Sequence, residues 1–166
     1  MFALGIDPGL SRCGYGAVSG HGGRLSAVAY GHLTTPAELP VSERLARLWS
    51  DLEGLLDDLN PEVVVVERVL FQVNARTAMA VGQASGLALA AAARRDCPVV
   101  QYSPNEVKLA VAGYGSASKE QVQSMVKILL ALPEDPRPAD RADALALAIT
   151  HLSGSGLRAA VGEAGR

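Results

Sequence analysis

Residues 63–67 read Val63-Val64-Val65-Val66-Glu67, and these five residues decide the fold. Four β-branched residues in a row with no polar alternation predict a strand covered on both faces, so helices are expected on either side of a sheet. The run ends on a carboxylate, which is costly to bury unless it is paired, metal-bound or at the sheet rim. Upstream, Val41, Leu45, Leu48, Leu52, Leu55, Leu56 and Leu59 recur at steps of three and four, the period of an amphipathic helix, until Asn60-Pro61 stops it. Further upstream, FALGID at 2–7 is a second apolar run closed by Asp7-Pro8-Gly9. The runs on either side of the glycine-rich turn at His21-Gly22-Gly23 complete a three-strand meander.

Downstream of Glu67, Asn74 is placed to cap an alanine-rich helix that closes on Arg94-Arg95. PVVQY at 98–102 is read as another buried strand. Ser103-Pro104-Asn105-Glu106 has the form of a capping box with proline in the first turn, opening a helix that finishes at Gly113. A further helix starts near Ser118, with Val122, Met125, Val126, Leu129 and Leu130 as its apolar face, and is expected to stop at Leu132-Pro133. The last begins near Asp140 and runs through Leu145, Leu147, Ile149 and Leu152, after which the period lapses and residues 154–166 read as a flexible tail. The order predicts an α/β fold, a five-stranded mixed sheet with helices on both faces, in one domain over residues 1–153.

Composition agrees with a single folded unit. The chain has 166 residues, 49% of them hydrophobic and 19% charged, too apolar for an extended disordered chain. No apolar run approaches the roughly 20 residues that span a bilayer, and the start lacks a basic leader, so a cytoplasmic location and no membrane partner are expected. Cys13 and Cys97 are far apart and have no neighbouring histidines to complete a zinc site, so reduced thiols are expected. The net charge of −2 argues against a uniformly basic nucleic-acid binder, but residues 61–127 hold seven basic and five acidic side chains against four and seven in residues 1–60.

If the first and fourth strands are parallel neighbours, about 4.8 Å apart, Asp7 and Glu67 leave the same sheet edge side by side. Asp140 and Asp143 are three apart, so both can face one side of a helical first turn. Each of the four also has an ordinary explanation as a turn residue, a rim residue or a helix cap. Together, though, four carboxylates would repel one another unless divalent cations held them. Oxygen-only ligands favour magnesium or manganese, and a pair of such ions suits phosphodiester hydrolysis.

GIDPG at 5–9, VVVVERV at 63–69, VGQASG at 81–86, GSASKEQV at 115–122 and ADRADALALAITH at 139–151 carry a resemblance to the RuvC family of bacterial Holliday junction resolvases over roughly residues 3–151. The resemblance implies a ribonuclease H-like fold and a homodimer that nicks a four-way DNA junction symmetrically. It implies two Mg2+ ions per active site, with Mn2+ as a substitute, and a branch-migration motor complex of the RuvA and RuvB type as partner. Asp7, Glu67, Asp140 and Asp143 fall on the family's metal-binding acids. The mechanism it suggests has Asp7 bridging two metals, Glu67 and Asp143 holding one each, and Asp140 orienting a ligand or water.

Lys108 and Lys119 are similar to family positions that contact DNA phosphates, and Leu70 stands where the family often has an aromatic at the junction centre, so that role passes to Leu70 or to Phe71. Arg76, like Arg12 and Arg141, is a weaker candidate for a phosphate contact. Gly82 and Gly86 leave a flat face on the alanine-rich helix, explained either by packing on the chain's own sheet or by the family's dimer contact. Three other readings compete. DPGLSRCGYG at 7–16 is similar to the phosphate loop of two-domain sugar kinases and ATPases, but no second glycine-rich phosphate loop follows. A non-catalytic junction-binding module gains nothing from four acids facing phosphates. A nuclease of the same fold acting on another branched or RNA-containing substrate remains the main competitor.

Overall fold

The computed structural model describes residues 1–68 and 75–164, apart from the side chains of 75–77 and 155–164. The strands are β1 (Phe2–Asp7), β2 (Arg12–His21), β3 (Arg24–Thr34), β4 (Val63–Glu67) and β5 (Val99–Tyr102). The helices are α1 (Val41–Leu59), α2 (Ala75–Ala93), α3 (Pro104–Ala112), α4 (Lys119–Leu129) and α5 (Ala139–Ala164). The sheet order is β3-β2-β1-β4-β5, with β1 antiparallel to β2 and parallel to β4. The β2–β3 hairpin pairs His21 with Arg24, leaving Gly22 and Gly23 as a two-residue turn at φ 56° and 78°, which glycine adopts without strain.

The valine run behaves as its sequence demands. Val63 and Val65 join Ala3, Val18 and the buried faces of α3, α4 and α5 in one core. Val64 and Val66 turn the other way and join Leu4, Ile6 and Ala17 against α1 and α2 in a second core. A strand's two-residue alternation thus feeds both layers, so all four valines are buried. Arg95 ties the two helices of the second layer together, with Nη1 2.6 Å from Glu53 Oε1 and Nη2 2.7 Å from Asp57 Oδ1. Asn60 ends α1 in a left-handed conformation, donating its backbone N–H to Leu56, as its place before proline suggests.

Three expectations need correction. The strand at 98–102 is not a buried one: β5 is the sheet edge, and Val99 through Tyr102 are half-buried because β4 covers only one side. Helix α4 ends at Leu129, short of Leu132-Pro133, with Leu129 37% exposed while Val122, Val126 and the following Leu130 are buried. The backbone of α5 stays helical to Ala164, across the stretch read from sequence as a tail. Asn74, expected as a helix cap, lies outside the described residues.

Helix α5 lies unusually close to the sheet. A Cβ on Gly5 of β1 would collide with the Ala144 carbonyl oxygen, and one on Gly14 of β2 with the carbonyl oxygen of Asp140. One on Gly16 would come within 2.6 Å of the Leu145 amide nitrogen. These bare positions, with Gly5 opposite Gly16 in register, make a trough in which the start of α5 is seated.

Candidate active site

Asp7 closes β1 and Glu67 closes β4, and the parallel register that pairs Ile6 with Val66 brings both out at the same edge. Asp7 is also opposite Gly14 in the β1–β2 ladder. Because Gly14 is where the backbone of Asp140 rests, the first turn of α5 arrives beside Asp7, and Asp143 follows one turn later. A cleft of about 330 Å³ opens there, lined by Asp7, Glu67 and Asp143 together with Lys108 and Lys119. All four predicted acids and both predicted lysines are thereby gathered at one end of the sheet.

The charges of these groups press on each other. Burial, then repulsion from Asp143, Glu67 and Asp140, pushes the Asp7 carboxyl up to about 8, against a smaller downward pull from Lys119. Glu67 is raised by burial and then by Asp143. Lys119 Nζ is 2.8 Å from Asp143 Oδ2, yet Asp143 is still raised, because burial and Asp140 outweigh the pair. For Lys119, burial works against the charge, but the hydrogen bond and charge of Asp143, with Asp7 and Asp140, raise it overall. The two partners differ because Lys119 is 56% exposed and Asp143 only 28%.

Arg12, a weaker candidate for a phosphate contact, has its Nη1 3.1 Å from Asp140 Oδ2. Arg141 donates from Nε to His32 Nδ1 at 3.2 Å. Lys108 and Lys119 hold their places by local capping: Ser103 and Glu106 form the box that opens α3, Ser118 and Gln121 the one that opens α4. His151 is buried with Nδ1 3.2 Å from the Tyr102 hydroxyl. Leu70 and Phe71, and the side chain of Arg76, lie outside the described residues. Cys13 and Cys97 are free thiols, and burial pushes Cys13 up to about 12.

The residue that sequence reasoning missed is Gly14. Its signal was present in Gly14-Tyr15-Gly16, since glycine inside a strand often marks close approach of another backbone. A larger cleft of about 700 Å³, lined by Met1, His21, Arg24 and Leu129 among others, opens at the opposite end of the sheet and is lined by no carboxylate. Size therefore does not single out this cleft; its mutually repelling acids do.

The four carboxylates supply hard oxygen donors with no competing sulfur, and the raised proton affinities of Asp7, Glu67 and Asp143 mark negative charge in need of a counter-charge. That chemistry fits a divalent cation such as magnesium. Among the described residues no three acidic, histidine or cysteine side chains stand converged on a single ion position. Asp143 and Asp140 are turned to Lys119 and Arg12.

The family model described as crossover junction endodeoxyribonuclease RuvC matches residues 3–151. The RuvC protein of Heliobacterium modesticaldum is 52% identical over 149 residues, covering 90% of this chain and 92% of that one. The structure of Thermus thermophilus RuvC in complex with a Holliday junction substrate superposes with a TM-score of 0.89 at 38% identity, over 95% of this chain and 96% of that one. A yeast mitochondrial Holliday junction resolvase, 17% identical with a TM-score of 0.66 over 93% of this chain and 80% of that one, shares the fold.

Proposed function

The chain belongs to the RuvC family of crossover junction endodeoxyribonucleases, and on that premise we propose that it resolves four-way DNA junctions by metal-assisted phosphodiester hydrolysis in the Asp7–Glu67–Asp140–Asp143 cleft. The observation that carries this reading is the Asp7 carboxyl, pushed up to about 8 by burial and by the three other acids. A scaffold has no use for such a cluster, which lowers the stability of the protein that holds it.

Asp7, Glu67, Asp140 and Asp143 would hold the metal, two magnesium ions per site with manganese as a substitute. When bound, such ions activate a water on one side of the phosphodiester and stabilise the leaving oxygen on the other. Asp7 must first give up its proton, so binding releases protons near neutral pH. Lys108 and Lys119, on the cleft wall opposite the strand ends, would brace the phosphates of the scissile strand. Val107 and Val122, on the buried faces of the helices that carry the lysines, line the same cleft.

Paired symmetric nicks need two such sites, and a two-fold homodimer through α2 supplies them. Supporting that contact, Gly82 and Gly86 are exposed, and a Cβ on either would meet nothing within 4 Å, so packing on the chain's own sheet does not account for them. Residues 1–153 would form the nuclease domain, acting in the cytoplasm with a branch-migration motor of the RuvA and RuvB type. No helix among the described residues is long and apolar enough to cross a membrane.

The test incubates purified protein with a synthetic four-way junction having a mobile core and with matched linear duplex, in magnesium, manganese or chelator. Symmetric metal-dependent nicks in the junction alone, lost in Asp7→Asn while junction binding survives, are the expected result. Tight junction binding without cleavage in either metal would leave a binding module. Nicks in linear or RNA-containing duplex at comparable rate would point to a nuclease of another specificity.

A further inference from the structure

Both Asp140 and Asp143, at the start of α5, already have a cation against them, and the two cations come from separate elements. Lys119, the first residue of α4, reaches Asp143 at 2.8 Å, and Arg12, the first residue of β2, reaches Asp140 at 3.1 Å. Each acid is 28% exposed, while the lysine and arginine are 56% and 51% exposed. The cations thus lean inward from solvent onto acids that are largely covered. Lys108 lines the same cleft but pairs with neither acid.

We propose that Lys119 and Arg12 are exchangeable counter-ions, which neutralise Asp143 and Asp140 in the metal-free protein and are displaced when a divalent ion takes those carboxylates. The inference rests on reading the cleft as a metal site. An ammonium and a divalent cation on one carboxylate repel each other strongly where water is partly excluded. Displacing the lysine is easy, because its head is well hydrated and sits on a flexible stem already half in solvent. The arginine, with its planar fork, is held more firmly.

Exchange gives a signature that neither a structural ion pair nor a general field effect shares. Removing Lys119 leaves Asp143 and its neighbours uncompensated, so the metal-free protein melts at a lower temperature. The same change removes a competitor, so the metal binds more tightly. A merely structural lysine would lower both stability and metal affinity. A lysine acting only through its long-range charge would be matched by Lys108.

The experiment titrates Mn2+ into the protein, reading free ion by electron paramagnetic resonance, for wild type, Lys119→Gln, Arg12→Gln and Lys108→Gln. Thermal unfolding in chelator is recorded alongside. Lys119→Gln should bind Mn2+ about fivefold more tightly, in the range of ordinary site-to-site coupling, and melt lower in chelator. Arg12→Gln should move in the same directions by less, and Lys108→Gln should change metal affinity least. Equal tightening in Lys108→Gln, or unchanged or weaker binding in Lys119→Gln, overturns the exchange and leaves the metal site standing. Wild-type protein that takes up no Mn2+ overturns the metal reading and the exchange with it.

Discussion

Glycines do opposite work on β2 and on α2. At Gly14 and Gly16 there is no room for a side chain, since a Cβ would run into the backbone of Asp140 or Leu145. At Gly82 and Gly86 a Cβ would meet nothing. In the sequence both pairs are simply glycines two or four residues apart within a predicted element. The first pair is explained within one chain, because the missing side chains let α5 lie against the sheet and bring Asp140 beside Asp7. The second is unexplained within one chain, which is what a surface meant for another backbone looks like.

The largest effect separates the chemistry from its seat. Asp7 and Gly14 are partners in register, but one carries the carboxylate and the other only the bare seat of α5, so a substitution at each tests a different thing. Asp7→Asn keeps the size of the side chain and the trough, and junction cleavage should fall by about 10³-fold or more, the scale on which loss of a preorganised charge-stabilising group is felt. Single-turnover cleavage in magnesium measures this. Stability at pH 8 should not fall. A variant that cleaves within tenfold of wild type would remove Asp7 from the site.

Gly14→Ala tests the seat alone. The added methyl meets the Asp140 carbonyl oxygen, which is backbone and cannot rotate away, so α5 must lift from β2. Overpacking of this kind costs about 2–3 kcal/mol, measurable by urea unfolding, and cleavage should fall although every acid is still present. Gly82→Ala, by contrast, should leave cleavage intact. Equal tolerance at Gly14 and Gly82 would mean that the close approach of α5 is not what sets the acids.

A smaller effect concerns pH in the absence of metal. Asp7 releases its proton near the ordinary 3.8 in the unfolded chain and at about 8 in the folded protein. Between these values the folded protein binds more protons, so stability falls as pH rises from 4 towards 8. Glu67 and Asp143, also raised, add to the same slope. Melting temperatures in chelator across this range should decline for wild type and decline much less for Asp7→Asn. Saturating magnesium should flatten the wild-type curve.

Much of this was legible in the residues, for identifiable reasons. The valine run could only be a doubly covered strand, and the spacing of Asp140 and Asp143 needed only a helix to put them on one side. The capping box at Ser103 is local chemistry and was met as read, while Ser118, read only as a helix start, carries a second box with Gln121. What could not be read was whatever depends on two distant segments meeting. Periodicity does not say that PVVQY lies at an edge, because its own residues suit either place. Nor does it say that Arg12 faces Asp140, 128 positions away, or that the trough of Gly5, Gly14 and Gly16 exists at all, since it takes two strands and a helix to make one.

The smallest effect carries the sharpest sign. In an isolated helix, replacing an exposed glycine with alanine stabilises by about 0.5–1 kcal/mol, since alanine loses less backbone freedom on folding. Gly86 is exposed with open space above it, so within one chain Gly86→Ala should stabilise. If α2 packs closely on α2 of a second copy, the same methyl stands between two backbones and the sign reverses. Unfolding measured over a range of protein concentrations separates the two effects. At low concentration, where chains are apart, the variant should be the more stable; at high concentration its advantage should shrink or invert, with a weaker dimer by analytical ultracentrifugation. An advantage that does not change with concentration would leave the α2 face uncovered, and two-fold pairing would then have to use another surface.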